Sequence, residues 1–209
     1  MKLTSLKHYV AVAALLIVGA SANASLLKLD DDGATHNIVN SNNFKNNLGA
    51  SQYDIGSNVL FDVAGNFEIT FTALAQESGW NNFLSAYGQS LPETPINGSI
   101  TVMVNSVSIG DLLQFTFGVT SPTGKGTVSN GGNFGIGSEQ SFATILNSTF
   151  NNVSYDAILL WDDSGANQDD NHDDMIVGVT ISRVSAPSTL ILFSFLAVVG
   201  LLRARKVAC

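Results

Sequence analysis

Cysteine occurs once in these 209 residues, at Cys209, so no intrachain disulfide can staple the chain. Basic residues are scarce as well: nine lysines and arginines stand against seventeen aspartates and glutamates. Between residues 25 and 185 the only cations are Lys28, Lys45, Lys125 and Arg183, while all seventeen acids lie there, a net charge of about −13. That balance excludes nucleic acid as a partner, because binding it requires basic side chains to displace counterions. His36 and His172 are the only histidines of this middle region. Without a cysteine beside them or a His-Glu-x-x-His, a zinc site of nitrogen and sulfur ligands has no support. The Gly-x-Ser-x-Gly elbow of common hydrolases is missing, and no repeat of fixed period points to a solenoid or propeller. Leu91-Pro92-Glu93-Thr94-Pro95 lacks the final glycine of Leu-Pro-x-Thr-Gly and no apolar run follows it, so it reads as a loop.

Long apolar runs are confined to the two ends. Lys2 and Lys7 precede the run 10–20, and Ala22-Asn23-Ala24 follows as a small-x-small box, which predicts a signal peptide over 1–24 cut between Ala24 and Ser25. At the other end, Pro187 precedes the apolar run 189–202, and Arg203, Arg205 and Lys206 follow it. Cations behind an apolar helix hold that end on the cytoplasmic side. At about 1.5 Å per residue the run makes a single transmembrane helix roughly 21 Å long against a hydrocarbon core of about 30 Å, short for permanent residence. The middle, residues 25–184, is long enough for one domain with its own core.

The order Ala186-Pro187-Ser188-Thr189-Leu190, a glycine-containing apolar helix and Arg203-x-Arg205-Lys206 resembles the PEP-CTERM sorting signal of Gram-negative bacteria. That resemblance covers residues 185–209 and implies recognition by an exosortase, a membrane protease-transpeptidase, followed by release or attachment at the cell surface. Ala186-Pro187-Ser188 stands where the family has Pro-Glu-Pro.

The middle region reads as strands and polar loops. Phe67, Ile69, Phe71 and Ala73 alternate with Glu68, Thr70 and Thr72, one apolar face of a half-buried strand. Residues 58–63 are its expected hairpin partner, with the turn at 64–66. Further strands are expected at 25–29, 100–104, 112–120, 154–161 and 175–184, and a glycine-rich loop at 121–138. Trp80, Phe83 and Tyr87, spaced by three and four, predict a short helix within 76–89. The whole predicts an all-β domain, an antiparallel β-sandwich of jelly-roll type.

Between the last two expected strands, residues 162–174 hold six carboxylates. Two of them about 6 Å apart repel by roughly 0.7 kcal/mol in water and nearly 3 kcal/mol at an effective dielectric near 20, which a shared divalent cation relieves. Asp169-x-Asn171-x-Asp173 offers hard oxygens at a spacing suited to calcium, though Asp174 and Thr180 stand where an EF-hand requires glycine and glutamate. The segment also resembles the Asp-rich stretch before the final strand of secreted β-sandwich domains that carry PEP-CTERM tails. That resemblance implies a structural ion at Asp169, Asn171, Asp173 and Asp174, with Asp162 and Asp163 as further ligands; a solvated acidic loop is the competing reading. Asp30, Asp32 and Gly33 form a second acidic cluster that reads as a solvated terminus or as an addition to the same site. Trp80 and Trp161, beside asparagine and aspartate, are candidate sugar contacts, with core packing as the alternative.

These features predict a non-enzymatic protein exported through the inner membrane, held transiently by its C-terminal helix and destined for the cell surface, in matrix or biofilm. Its processing partners would be signal peptidase and an exosortase, and exopolysaccharide a further partner. Two rival readings are a calcium-dependent lectin-like module and a secreted polysaccharide-acting enzyme using paired carboxylates.

Overall fold

The strongest alternation of the chain, from Phe67 to Ala73, lies in its longest strand in a computed structural model describing residues 25–123, 125–132, 140–164 and 171–184. Within them the strands are β1 (Leu27–Leu29), β2 (Ala34–Asn37), β3 (Gln52–Ile55), β4 (Val59–Phe61), β5 (Gly65–Gln76), β6 (Asn81–Ala86), β7 (Gln89–Pro92), β8 (Ser99–Val107), β9 (Thr116–Ser121), β10 (Thr127–Ser129), β11 (Ser141–Phe150), β12 (Val153–Asp162) and β13 (Met175–Arg183). The described residues contain no helix, and none long and apolar enough to cross a membrane. The expected signal peptide, the sorting motif Ala186, Pro187 and Ser188, and the tail with Arg203, Arg205 and Lys206 lie outside the described residues; Ser25 opens them.

Every strand pairing is antiparallel. A seven-stranded sheet runs β2-β3-β11-β12-β13-β5-β8, a four-stranded sheet β10-β9-β6-β7, and β1 pairs with β4. One core unites the two larger sheets: Phe71, Phe142, Trp161 and Val177 of the first meet Leu84, Leu91, Phe117 and Val128 of the second. The arrangement is consistent with a β-sandwich.

A second core covers the other face of the large sheet. Ile38, Phe44 and Leu48, from the asparagine-rich stretch between β2 and β3, pack on Ile145, Ile158, Leu160 and Ile176. That cover explains why residues 157–161 and 175–179 are apolar without alternation: both faces of β12 and β13 are buried, so both must be hydrophobic.

Three expectations are corrected. Residues 76–89 hold no helix: they run from the end of β5 through β6 to the start of β7, and the buried positions of β6 are Asn82, Leu84 and Ala86, a period of two. The partner of β5 is not 58–63: β4 is taken by β1, and β5 lies between β13 and β8. The glycine-rich loop contains β10. The expected strand list also omitted β11, whose buried Ser141, Thr144 and Ser148 break the apolar pattern that marks other central strands.

Candidate metal centre

Strand register brings the acidic residues to one end of the large sheet. Trp161 of β12 lies opposite Met175 of β13, and Met175 lies opposite Gln76 of β5. The residues just beyond these pairs, Asp162 and Asp163, Asp174 and Glu77, therefore emerge together from three neighbouring strands. Carboxylate oxygens of Glu77, Asp173 and Asp174 lie within 4.8 Å of one another. Oxygens sharing one cation at about 2.4 Å can be at most about 4.8 Å apart, so this spacing fits a single ion with oxygen ligands.

The surroundings are ordered by hydrogen bonds. Asp174 Oδ2 accepts from the Asp163 backbone N–H at 2.7 Å, and the Asp174 N–H donates to the Trp161 carbonyl at 3.1 Å. Asp163 Oδ2 accepts from Ser78 Oγ at 2.5 Å and from Asn82 Nδ2 at 2.9 Å, while Asp162 Oδ1 accepts from the Ser164 N–H at 3.1 Å. From the cover segment, the Asn43 N–H donates to Asp173 Oδ2 at 2.6 Å, and Asn42 Nδ2 donates to the Asn171 carbonyl at 2.8 Å. His172 takes a left-handed φ of 55°, shares a 2.8 Å hydrogen bond with Ser141 Oγ and packs against Tyr53. A non-glycine residue held in that conformation costs of order 1–3 kcal/mol, which the surrounding contacts must offset.

These groups are not a solvated loop. Asp162, Asp163, Asn171, His172, Asp173 and Asp174 are all buried, with Glu77 exposed at the mouth. Burial, with Asp163, Asp162 and Asp173 adjacent, pushes the Asp174 carboxyl up to about 8. Burial, reinforced by the charge of His36, lowers His172 to about 3. Burial likewise raises Glu93, which Asp163 pushes further up. Asn171 is 3 % exposed and its Oδ1 has no hydrogen-bond partner. Clustered carboxylates, one forced toward its neutral form, are hard-oxygen groups of the kind that could hold a hard cation.

Of the expected ligands, the structure gathers Asp162, Asp163, Asp173 and Asp174; Asn171 is buried with its carbonyl held by Asn42, and Asp169 lies outside the described residues. Asp30 is engaged elsewhere, accepting from the Asn58 N–H and Nδ2. Glu77 was missed. It sits in a separate stretch of sequence with no acidic neighbour, and only the β5–β13 register brings it in.

The two tryptophans part company. Trp161 is 0 % exposed and stacks on Phe117 at 5.1 Å, so it is a core residue and the expectation of a sugar contact there is corrected. Trp80 is half-buried, with Lys125 Nζ 4.1 Å above its ring, and helps line a shallow pocket of about 200 Å³ with Glu77, Ser78, Gly79, Asp163, Ser164 and Asp174. No protein-family model, no curated protein and no solved structure matches this chain.

Proposed function

We propose that this chain is an exported, non-enzymatic surface protein: a β-sandwich of jelly-roll type whose acidic end is held by a structural calcium ion, delivered by a signal peptide and sorted by an exosortase-type system. The observation that carries the ion is the convergence of Glu77, Asp173 and Asp174 within 4.8 Å. Calcium is favoured over zinc because the three converging donors are all hard carboxylate oxygens, with no thiolate or imidazole among them. The jelly-roll reading rests on the non-consecutive neighbours β3–β11, β13–β5 and β6–β9. Export and sorting rest on the two apolar ends and the Arg203, Arg205 and Lys206 cluster. After processing, the proposed location is the cell surface or extracellular matrix.

A cation bound to the folded state alone stabilises it by about 2.7 kcal/mol at a hundredfold excess over Kd, a shift of roughly 5–10 °C in Tm for a chain of this size. Thermal melts in chelator and in millimolar calcium test this. Loss of the shift in Glu77→Gln and Asp173→Asn supports the centre, and a wild-type melt indifferent to calcium refutes it. Fractionation tests the destination: full-length chain retaining both ends in the cytoplasm would overturn the export reading.

A second reading, a calcium-dependent lectin-like module, is favoured by Trp80 in the pocket beside Glu77 and Asp174. Calcium-dependent retention on exopolysaccharide, lost in Trp80→Ala with the melting shift intact, would establish it.

A further inference from the structure

The seven-stranded sheet ends in β2 on one side and β8 on the other. An open strand edge presents unpaired N–H and C=O groups that template another strand, and proteins blunt it with short strands, charge, proline or bulges. β2 has four residues and follows Asp30, Asp31 and Asp32. In the smaller sheet, β10 has three residues, and β7 has four, ends in Pro92 and precedes Glu93. β8 carries none of these devices along most of its length, and β7, which lies beside it, forms no backbone ladder with it. β8 has nine residues, Ser-Ile-Thr-Val-Met-Val-Asn-Ser-Val, with no charge, proline or glycine, and residues 94–110 carry no charge at all. Its one irregularity is near its end, at Ser106 with a φ of 58°.

Thr101 identifies the open groups. Its carbonyl accepts from the exposed Gln89 Nε2 at 3.2 Å, on the side away from β5. Alternation along an antiparallel ladder turns the backbones of Ser99, Met103 and Asn105 the same way, while Ile100, Val102 and Val104 face β5. Met103 is 53 % exposed.

We propose that β8 pairs antiparallel with β8 of a second copy of this chain, across a two-fold axis at Val102, joining two seven-stranded sheets into one. This register places Thr101 opposite the partner's Met103 and Ser99 opposite the partner's Asn105, matching every open group of the regular stretch and replacing the Gln89 contact. A second copy suits the edge because the chain carries a net −8 and repels itself over most of its surface, whereas residues 94–110 oppose no charge. The nearest acid on this face, Glu68 opposite Met103, would stand three strand spacings from its symmetry mate, roughly 14 Å, beyond the Debye length of about 8 Å. The same patch serves both copies, so the contact closes as a dimer, and the guarded edges elsewhere prevent growth into a filament.

Sedimentation velocity of the full chain in detergent, carrying Cys209→Ser to remove the tail thiol, tests the pairing. The expected species is a dimer that becomes monomeric in Thr101→Pro, which removes an N–H making no bond to β5, and in Met103→Lys, with far-UV circular dichroism and the calcium response unchanged. In the same background, Thr101→Cys with Met103→Cys should oxidise to a covalent dimer, whereas Val153→Cys, equally exposed on another strand, should not. A chain monomeric at every concentration overturns the proposal. So does a dimer left intact by both Thr101→Pro and Met103→Lys, which would place the contact elsewhere, including in residues 185–209.

Discussion

Asp174 concentrates the electrostatic conflict of the acidic end. Its carboxyl is buried among three others, and its pKa rises from 3.8 to about 8 in the metal-free fold. A folded pKa above the unfolded one means that its contribution to stability is complete below about pH 4 and is lost as pH rises through 8. Asp174→Asn escapes that loss. In chelator the variant should match wild type near pH 4 and exceed it at pH 8, by on the order of a few kcal/mol. In calcium at pH 8 the order should reverse, since a neutral amide is a weaker ligand. Urea titrations at the two pH values, with and without calcium, would measure both. The acid limb has a different origin: His172, lowered from 6.5 to about 3, supports the fold above 6.5 and withdraws that support as pH falls toward 3.

At the scale of elements, β12 and β13 are set by burial on both faces, and Gly178 shows how closely. A Cβ at Gly178 would lie 2.5 Å from the Tyr155 ring and 3.0 Å from Leu74 Cδ1. Gly178→Ala should therefore cost about 1–3 kcal/mol through overpacking, read as a lower urea midpoint with unchanged m-value. Tyr155→Leu in the same chain should recover part of the loss by clearing the ring. The apolar runs of these strands were legible in the sequence because such runs need no partner to be recognised, as was the acidic stretch between them. What stayed hidden depended on pairing. Glu77 joins the centre only through the register of β5 with β13, and β6 looked helical because its large aromatics follow a spacing of three and four while its buried positions follow two. β11 escapes a hydropathy reading because its polar Ser141, hydrogen-bonded to His172, and Thr144 are buried between neighbouring strands, which hydropathy alone does not register. The asparagine-rich stretch appeared polar, yet Ile38, Phe44 and Leu48 anchor it over the sheet and place Asn42 and Asn43 against the acidic residues.

Over the whole molecule, net charge and the acidic centre make distinguishable contributions. The domain between the apolar ends carries about −13, and its self-repulsion acts largely through solvent. Monovalent salt shortens the Debye length to about 3 Å at 1 M and screens that diffuse repulsion, so the metal-free protein should gain a few degrees in Tm with sodium chloride. The buried carboxylates of Asp162, Asp173 and Asp174 are screened far less than the surface charges, because diffuse salt acts mainly through bulk solvent. Calcium should therefore add its full shift on top of saturating salt. If 1 M sodium chloride reproduced the calcium effect, the carboxylates would be responding to ionic strength alone and the centre would not be a coordination site. If Glu77→Gln reduced the calcium shift but left the salt shift intact, the two effects would be assigned to different parts of one molecule. The salt shift would then belong to the acidic surface, and the calcium shift to the point where three strands end together.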